Sequence, residues 1–143
     1  ARFESALAAK PALAFFVPGL VYLADAIGTQ SEAVAVRGLS LSHAGLARLL
    51  SGELRTGLLI GLVLALLSFP MVWLVFGELR LAAAVTLALA GASTLASVLG
   101  LLLPWLLVRV GSDPAYGSGP LATIVQDVLS LLIYFACVTL IVL

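Results

Sequence analysis

This sequence predicts an all-α fold, a polytopic bundle of membrane-crossing helices, and two observations carry that prediction. The first is composition: Ala, Val, Ile, Leu, Met, Phe, Trp, Tyr and Cys make up 63% of the 143 residues. Charged residues are 10%, against about 25% in a soluble domain. Seven acids and seven bases cannot coat a soluble surface at this length. The second observation is that the apolar residues fall into four long stretches, as a bilayer core requires about 20 per crossing helix. The same composition excludes a nucleic-acid binder, which needs a basic face, and a disordered chain, which needs low hydrophobicity. One cysteine excludes an internal disulfide framework and a CxxC metal knuckle. Residues 1–143 read as one transmembrane domain.

The first predicted span, about 11–27, is the most polar, with Lys10 at one end and Asp25 near the other. The second, 56–77, has no charge. The third, 81–108, would overshoot a hydrocarbon core of roughly 30 Å, so it must tilt, kink or protrude. Pro104 is expected to disturb its last turns. The fourth, 120–143, opens on a proline suited to a first helical turn and contains Asp127.

Glu78, Leu79 and Arg80 form a very short connection, which makes spans two and three antiparallel neighbours. Residues 28–55 form an amphipathic connection bearing Arg37, His43, Arg48, Glu53 and Arg55. It reads as a continuation of the first helix to about Leu39, then a short surface helix over 42–50 with Ser42 as N-cap. Residues 111–119, Gly-Ser-Asp-Pro-Ala-Tyr-Gly-Ser-Gly, have loop chemistry. Four spans put both termini on one side. Arg37, Arg48, Arg55 and Arg109 on the opposite loops outnumber Arg2, Lys10 and Arg80, which makes those loops cytoplasmic. The chain opens Ala-Arg-Phe-Glu, without a signal-peptide pattern, and reads as a fragment or an excised domain.

Ionisable groups at membrane depth are costly, about 2.5–3.5 kcal/mol on insertion scales, and so point to function. Thr123, Asp127, Ser130 and Tyr134 fall at i, i+4, i+7 and i+11 and form one polar stripe on the last helix. Such a stripe faces a water-filled path or a protein interface; the plainer alternative is an Asp that only fixes helix pairing. Asp113, in Asp-Pro-Ala-Tyr, can cap a short helix starting at Pro114 or meet an ion. Asp25, beside Gly28, Thr29, Gln30 and Ser31, reads as an interfacial charge or a pore-lining group. Gly57-xxx-Gly61-xxx-Ala65 is one small-residue ridge, and Ala90/Thr94 with Ser93/Ser97 another, both suited to close helix packing. Trp73, Trp105, Tyr22 and Tyr116 read as interfacial anchors or packing residues, and Cys137 as a small packed hydrophobe. No nucleophile–base pair, phosphate loop or redox pair is present in the sequence, so no enzyme is expected.

Several segments in order, Phe15-Phe16-Val17-Pro18, Gly28-Thr-Gln-Ser31, Val36-Arg37-Gly38-Leu39 and Gly52-Glu53-Leu-Arg-Thr-Gly57, are followed by Leu102-Leu-Pro-Trp-Leu-Leu-Val-Arg109. Ser112-Asp113-Pro114-Ala115, Ser118-Gly-Pro-Leu-Ala-Thr123, Gln126-Asp127 and Ile133-Tyr134-Phe135 complete the series. Together they resemble the transmembrane domain of the MgtE family of magnesium channels and transporters. The resemblance implies a multi-pass protein of the cell's inner, cytoplasmic membrane. It implies a homodimer of five-helix subunits, with the final helices lining the ion path. Mg²⁺ is then both the transported and the bound ion, held between two Asp127 carboxylates, with Asp113 at the cytoplasmic mouth. Thr123 and Gly119 are the further candidate ligands, and Ser130, Tyr134 and Asp25 further pore-lining candidates. The family's first helix and its cytoplasmic magnesium-sensing domains have no counterpart in these 143 residues. The family's asparagine before the last helix is Gly119 here, and its asparagine-rich run is reduced to Ala24-Asp25-Ala26-Ile27-Gly28-Thr29. A hydrated Mg²⁺ suits this chemistry, since it sheds water reluctantly and is met by carboxylates and carbonyls. Competing functions are a Na⁺- or H⁺-coupled divalent cation exchanger and a non-transporting membrane assembly subunit.

Overall fold

The computed structural model describes residues 11–41, 45–117 and 119–143. Four α-helices account for nearly all of them: α1 (Pro11–Leu41), α2 (Leu46–Phe76), α3 (Leu79–Arg109) and α4 (Pro120–Ile141). A 3₁₀ turn, Pro114–Gly117, lies between α3 and α4. All four are long and apolar enough to cross a membrane.

The first helix continues past the predicted span to Leu41, close to the expected end of the 28–39 extension. The expected short surface helix is not separate: α2 is one helix of 31 residues that takes in residues 46–55. The helical spacing of Leu46, Leu49, Leu50 and Leu54 runs straight into that of the span. One unbroken backbone ladder also leaves fewer amide groups to satisfy than two helices would. Ser42 and His43 lie outside the described residues. Pro104 does not end α3, which runs on to Arg109 with Pro104 buried. Neighbouring helices stabilise the turn around it, as is common for proline in membrane helices.

The α2–α3 turn is as tight as the sequence requires. Gly77 adopts the left-handed conformation (φ 67°) and its N–H donates to Trp73 O at 2.8 Å. A side chain at that φ would be strained, which is why glycine ends the helix. The two small-residue ridges then meet. A Cβ on Gly57 would lie 2.9 Å from Thr94 Cα, and one on Gly61 would lie 3.0 Å from Ala90 O. Backbone approaches this close are what drive helix pairing in lipid, where apolar side chains gain nothing from leaving an equally apolar solvent.

The centre of the bundle is α3, packed against α1, α2 and α4. Its buried face is mostly small: Ala82, Ala84, Ala88, Ala92, Ser93, Ala96, Ser97 and Gly100. Such a face lets three neighbours come close at once. By contrast α2 sits at the edge, exposing Leu59, Leu62, Leu66, Met71 and Leu74. At the far end Phe16 stacks edge-on against Phe76 (5.2 Å between centroids) and joins α1 to α2. Arg109 sits 4.8 Å over the Trp105 ring, an arrangement suited to an interfacial anchor. Cys137 is half-buried against the core, as a small hydrophobe would be.

Tyr134 is fully buried, and its hydroxyl donates to Leu13 O at 2.6 Å, tying α4 to the start of α1. Tyr134→Phe should lower stability by about 0.5–1.5 kcal/mol, the usual net worth of one hydrogen bond, and leave ion flux unchanged. A thermal melt beside a flux assay checks this. Lost flux with an unchanged melt would assign the hydroxyl to the ion path instead.

Candidate cation site between the first and last helices

The inward row of α4 is Ala122, Gln126, Ser130, Tyr134 and Val138, every fourth residue. A row of that spacing gains about 40° per step around a helix turning 100° per residue, so it winds across the face. The polar stripe expected from the sequence is therefore split. Ser130 and Tyr134 are buried inside the chain. Thr123 and Asp127 lie half-buried beside the row, and Gln126 takes the inward position at that level.

Gln126 is 2% exposed and its amide Nε2 donates to Glu32 Oε1 at 3.2 Å; Glu32 is itself 2% exposed. Sequence reasoning missed Glu32 because, although it continued the first helix to about Leu39, it treated residues 28–55 as an amphipathic connection and did not ask which face of that extension packs. Once α1 is continued to Leu41, Ala24, Gly28, Ser31, Glu32 and Ala35 fall on one helix face, and all are buried. Helical spacing through a predicted connection was the available signal.

Asp25, half-buried two turns before Glu32, lies close enough to act electrostatically on both Glu32 and Asp127. Its Oδ1 is buried and has no hydrogen-bond partner, and neither has Gln126 Oε1. Gly28 makes room for the amide: a Cβ there would collide with the Gln126 side chain. Gly100 of α3 supports the arrangement from behind, since a Cβ there would lie 2.7 Å from Gly28 O.

An open cleft of about 420 Å³ leads to Glu32. Thr29, Ala33 and Val36 of α1 line one side, and Gly119 and Thr123 of α4 the other. Gly119 has φ 131°, a value side chains rarely adopt, and its carbonyl accepts Thr123 N–H at 3.1 Å. Glycine at this point lets the loop turn directly into Pro120 and the last helix. Asp113 is exposed and caps the 3₁₀ turn, its Oδ1 accepting Ala115 N–H at 2.9 Å. The capping role read from the sequence is thus present. Among the described residues no three His, Cys, Asp or Glu side chains stand close enough to hold a metal by themselves.

A second polar chain crosses the bundle. Ser31 Oγ and Ser97 Oγ are 3.0 Å apart, and Ser97 Oγ also reaches Glu53 Oε2 at 2.8 Å. It ties α1, α3 and α2 together at the level of the acid-lined cleft.

These features sit within residues 17–137, the stretch that matches the MgtE family, described as a divalent cation transporter. The chain belongs to the MgtE family. Its similarity to curated members extends over nearly its whole length. It is 38% identical over 140 residues to the magnesium transporter MgtE of Bacillus subtilis, covering 96% of this chain and 31% of that protein. With the magnesium transporter MgtE of Thermus thermophilus it shares 39% over 139 residues, 94% of this chain and 30% of that protein. The magnesium transporter MgtE of Enterococcus faecalis is 36% identical over 137 residues, again 94% of this chain and 30% of the relative. This MgtE-family chain therefore spans about a third of the length of the curated relatives it matches.

Proposed function

We propose that this chain forms the ion path of a Mg²⁺ transporter rather than an enzyme. In this reading it works as a homodimer in the cytoplasmic membrane and moves hydrated Mg²⁺ passively down its gradient. The observation that carries the reading is Asp127: a half-buried carboxylate on an apolar helix, in a chain whose family is described as a divalent cation transporter. One carboxylate cannot surround an ion, but a two-fold axis supplies a second at no cost in sequence. Thr123, one turn away, offers a hydroxyl to the ion's water shell. The Gly119 carbonyl, already accepting Thr123 N–H, has a second lone pair to offer. Cytoplasmic regulatory domains belong to other parts of the full-length protein in this reading.

Current recording from the purified protein in planar bilayers tests the passive part. Divalent current with no Na⁺ or H⁺ gradient is the expected result; flux that requires such a gradient would make it a coupled exchanger. No flux under any gradient would leave a subunit whose Asp127 serves packing.

At the mouth, Asp113→Asn should reduce ion entry while sparing the fold, because Asn retains an oxygen to accept the Ala115 N–H. The loss should shrink at high ionic strength, where the Debye length falls to about 3 Å at 1 M salt. Equal losses at low and high salt would assign Asp113 a structural role.

A further inference from the structure

We propose that Asp25, Glu32 and Gln126 form a second cation site, built within one chain, that takes a partly hydrated divalent ion. The donors are two carboxylates from α1 and one amide oxygen from α4. Their chemistry is all oxygen, which suits a hard cation.

Gln126 is the observation that makes this more than a cluster of acids. It is 2% exposed, yet its Oε1 has no hydrogen-bond partner. A buried amide oxygen left unmatched is costly, and such groups in a folded chain call for an occupant. The amide is held at Glu32 by its own Nε2, which fixes the unmatched oxygen on the neighbouring arm of the same buried group. The buried Oδ1 of Asp25 is a second unmatched oxygen on the same side of α1. A bound cation would satisfy both atoms and offset the repulsion among Asp25, Glu32 and Asp127. A divalent ion offsets three carboxylates better than a monovalent one.

Space and access fit the same reading. Gly28 stands between the two acids of α1, and the missing side chain is what admits the amide. The 420 Å³ cleft lined by Thr29, Glu32, Gly119 and Thr123 opens onto Glu32 and gives an ion and its waters a way in. The identity of the ion rests on the divalent-transport reading above; the donor set does not.

The test is Mn²⁺ binding to the purified protein in lipid nanodiscs, read from the loss of the free-ion EPR signal. Asp127→Asn should retain bound Mn²⁺, and adding Glu32→Gln should weaken that remaining site by about tenfold or more. Gln126→Leu, which keeps every acid, should weaken it in the same direction. Gly28→Ala, which displaces the amide and removes no donor, covers the case in which Glu32→Gln fails to fold. It too should weaken binding. Loss of all Mn²⁺ on Asp127→Asn alone would overturn the proposal. So would unchanged titrations in folded Gln126→Leu and Gly28→Ala. Mg²⁺ uptake that survives Asp127→Asn would instead remove Asp127 from the ion path while leaving this site standing.

Discussion

Asp127→Asn should abolish most Mg²⁺ uptake while the protein stays folded. The substitution keeps the side chain's size and most of its hydrogen-bonding capacity, and it removes one charge per chain. Asp127 is only half-buried and lies outside the inward row of α4, so packing against α1 and α3 does not depend on it. Insertion into the bilayer should become easier, since the ionised acid is the costlier group by about 2.5–3.5 kcal/mol. Thr123→Ala should cost far less transport, because a hydroxyl offers one water contact and no charge. Uptake into proteoliposomes and a thermal melt of each variant make the comparison. Full transport by the Asn variant would remove Asp127 from the ion path; equal loss of transport and stability would make it a packing residue.

Gly61→Leu should markedly lower stability. A Cβ at Gly61 already lies 3.0 Å from Ala90 O and 3.1 Å from Ala90 Cα, both backbone atoms of α3 that cannot turn aside. The remaining carbons of Leu must push α2 away from α3. Overpacking of that kind costs roughly 1–3 kcal/mol, and more where the backbone itself must move. Gly57 faces the same wall, since a Cβ there would lie 3.0 Å from Ser97 Cβ, so Gly57→Leu should behave alike. Gly52→Leu is the control, because nothing lies within 4 Å of a Cβ there. Unchanged melting of Gly61→Leu would contradict the close α2–α3 contact.

The helices were legible because their cause is local. Long uncharged runs, the glycine at 77 and the proline at 120 determine where α2, α3 and α4 end or begin, and the Gly57/Gly61 ridge finds its partner in Ala90/Thr94. The polar side of the molecule was less legible. Charges between residues 28 and 55 read as an amphipathic connection, whereas helix–helix contact buries Glu32 against Gln126 and links Glu53 to Ser97. That burial depends on how α4 crosses α1, which no single helix's periodicity reports. The same crossing winds the buried row away from Asp127 at the start of α4 and toward Tyr134 further along. A stripe drawn on a straight helix therefore grouped residues that serve different surfaces.

In the proposed pore two Asp127 side chains, one from each copy, act jointly on one ion, and a mixing experiment measures this most directly. Parent and Asp127→Asn chains are co-reconstituted in varying ratio, and Mg²⁺ uptake is followed against the fraction of parent chains. If both carboxylates are needed, an equal mixture retains about a quarter of the parent flux, since only a quarter of random dimers carry two aspartates. A linear fall, leaving about half the flux in the equal mixture, would mean that each chain conducts by itself and would contradict the account.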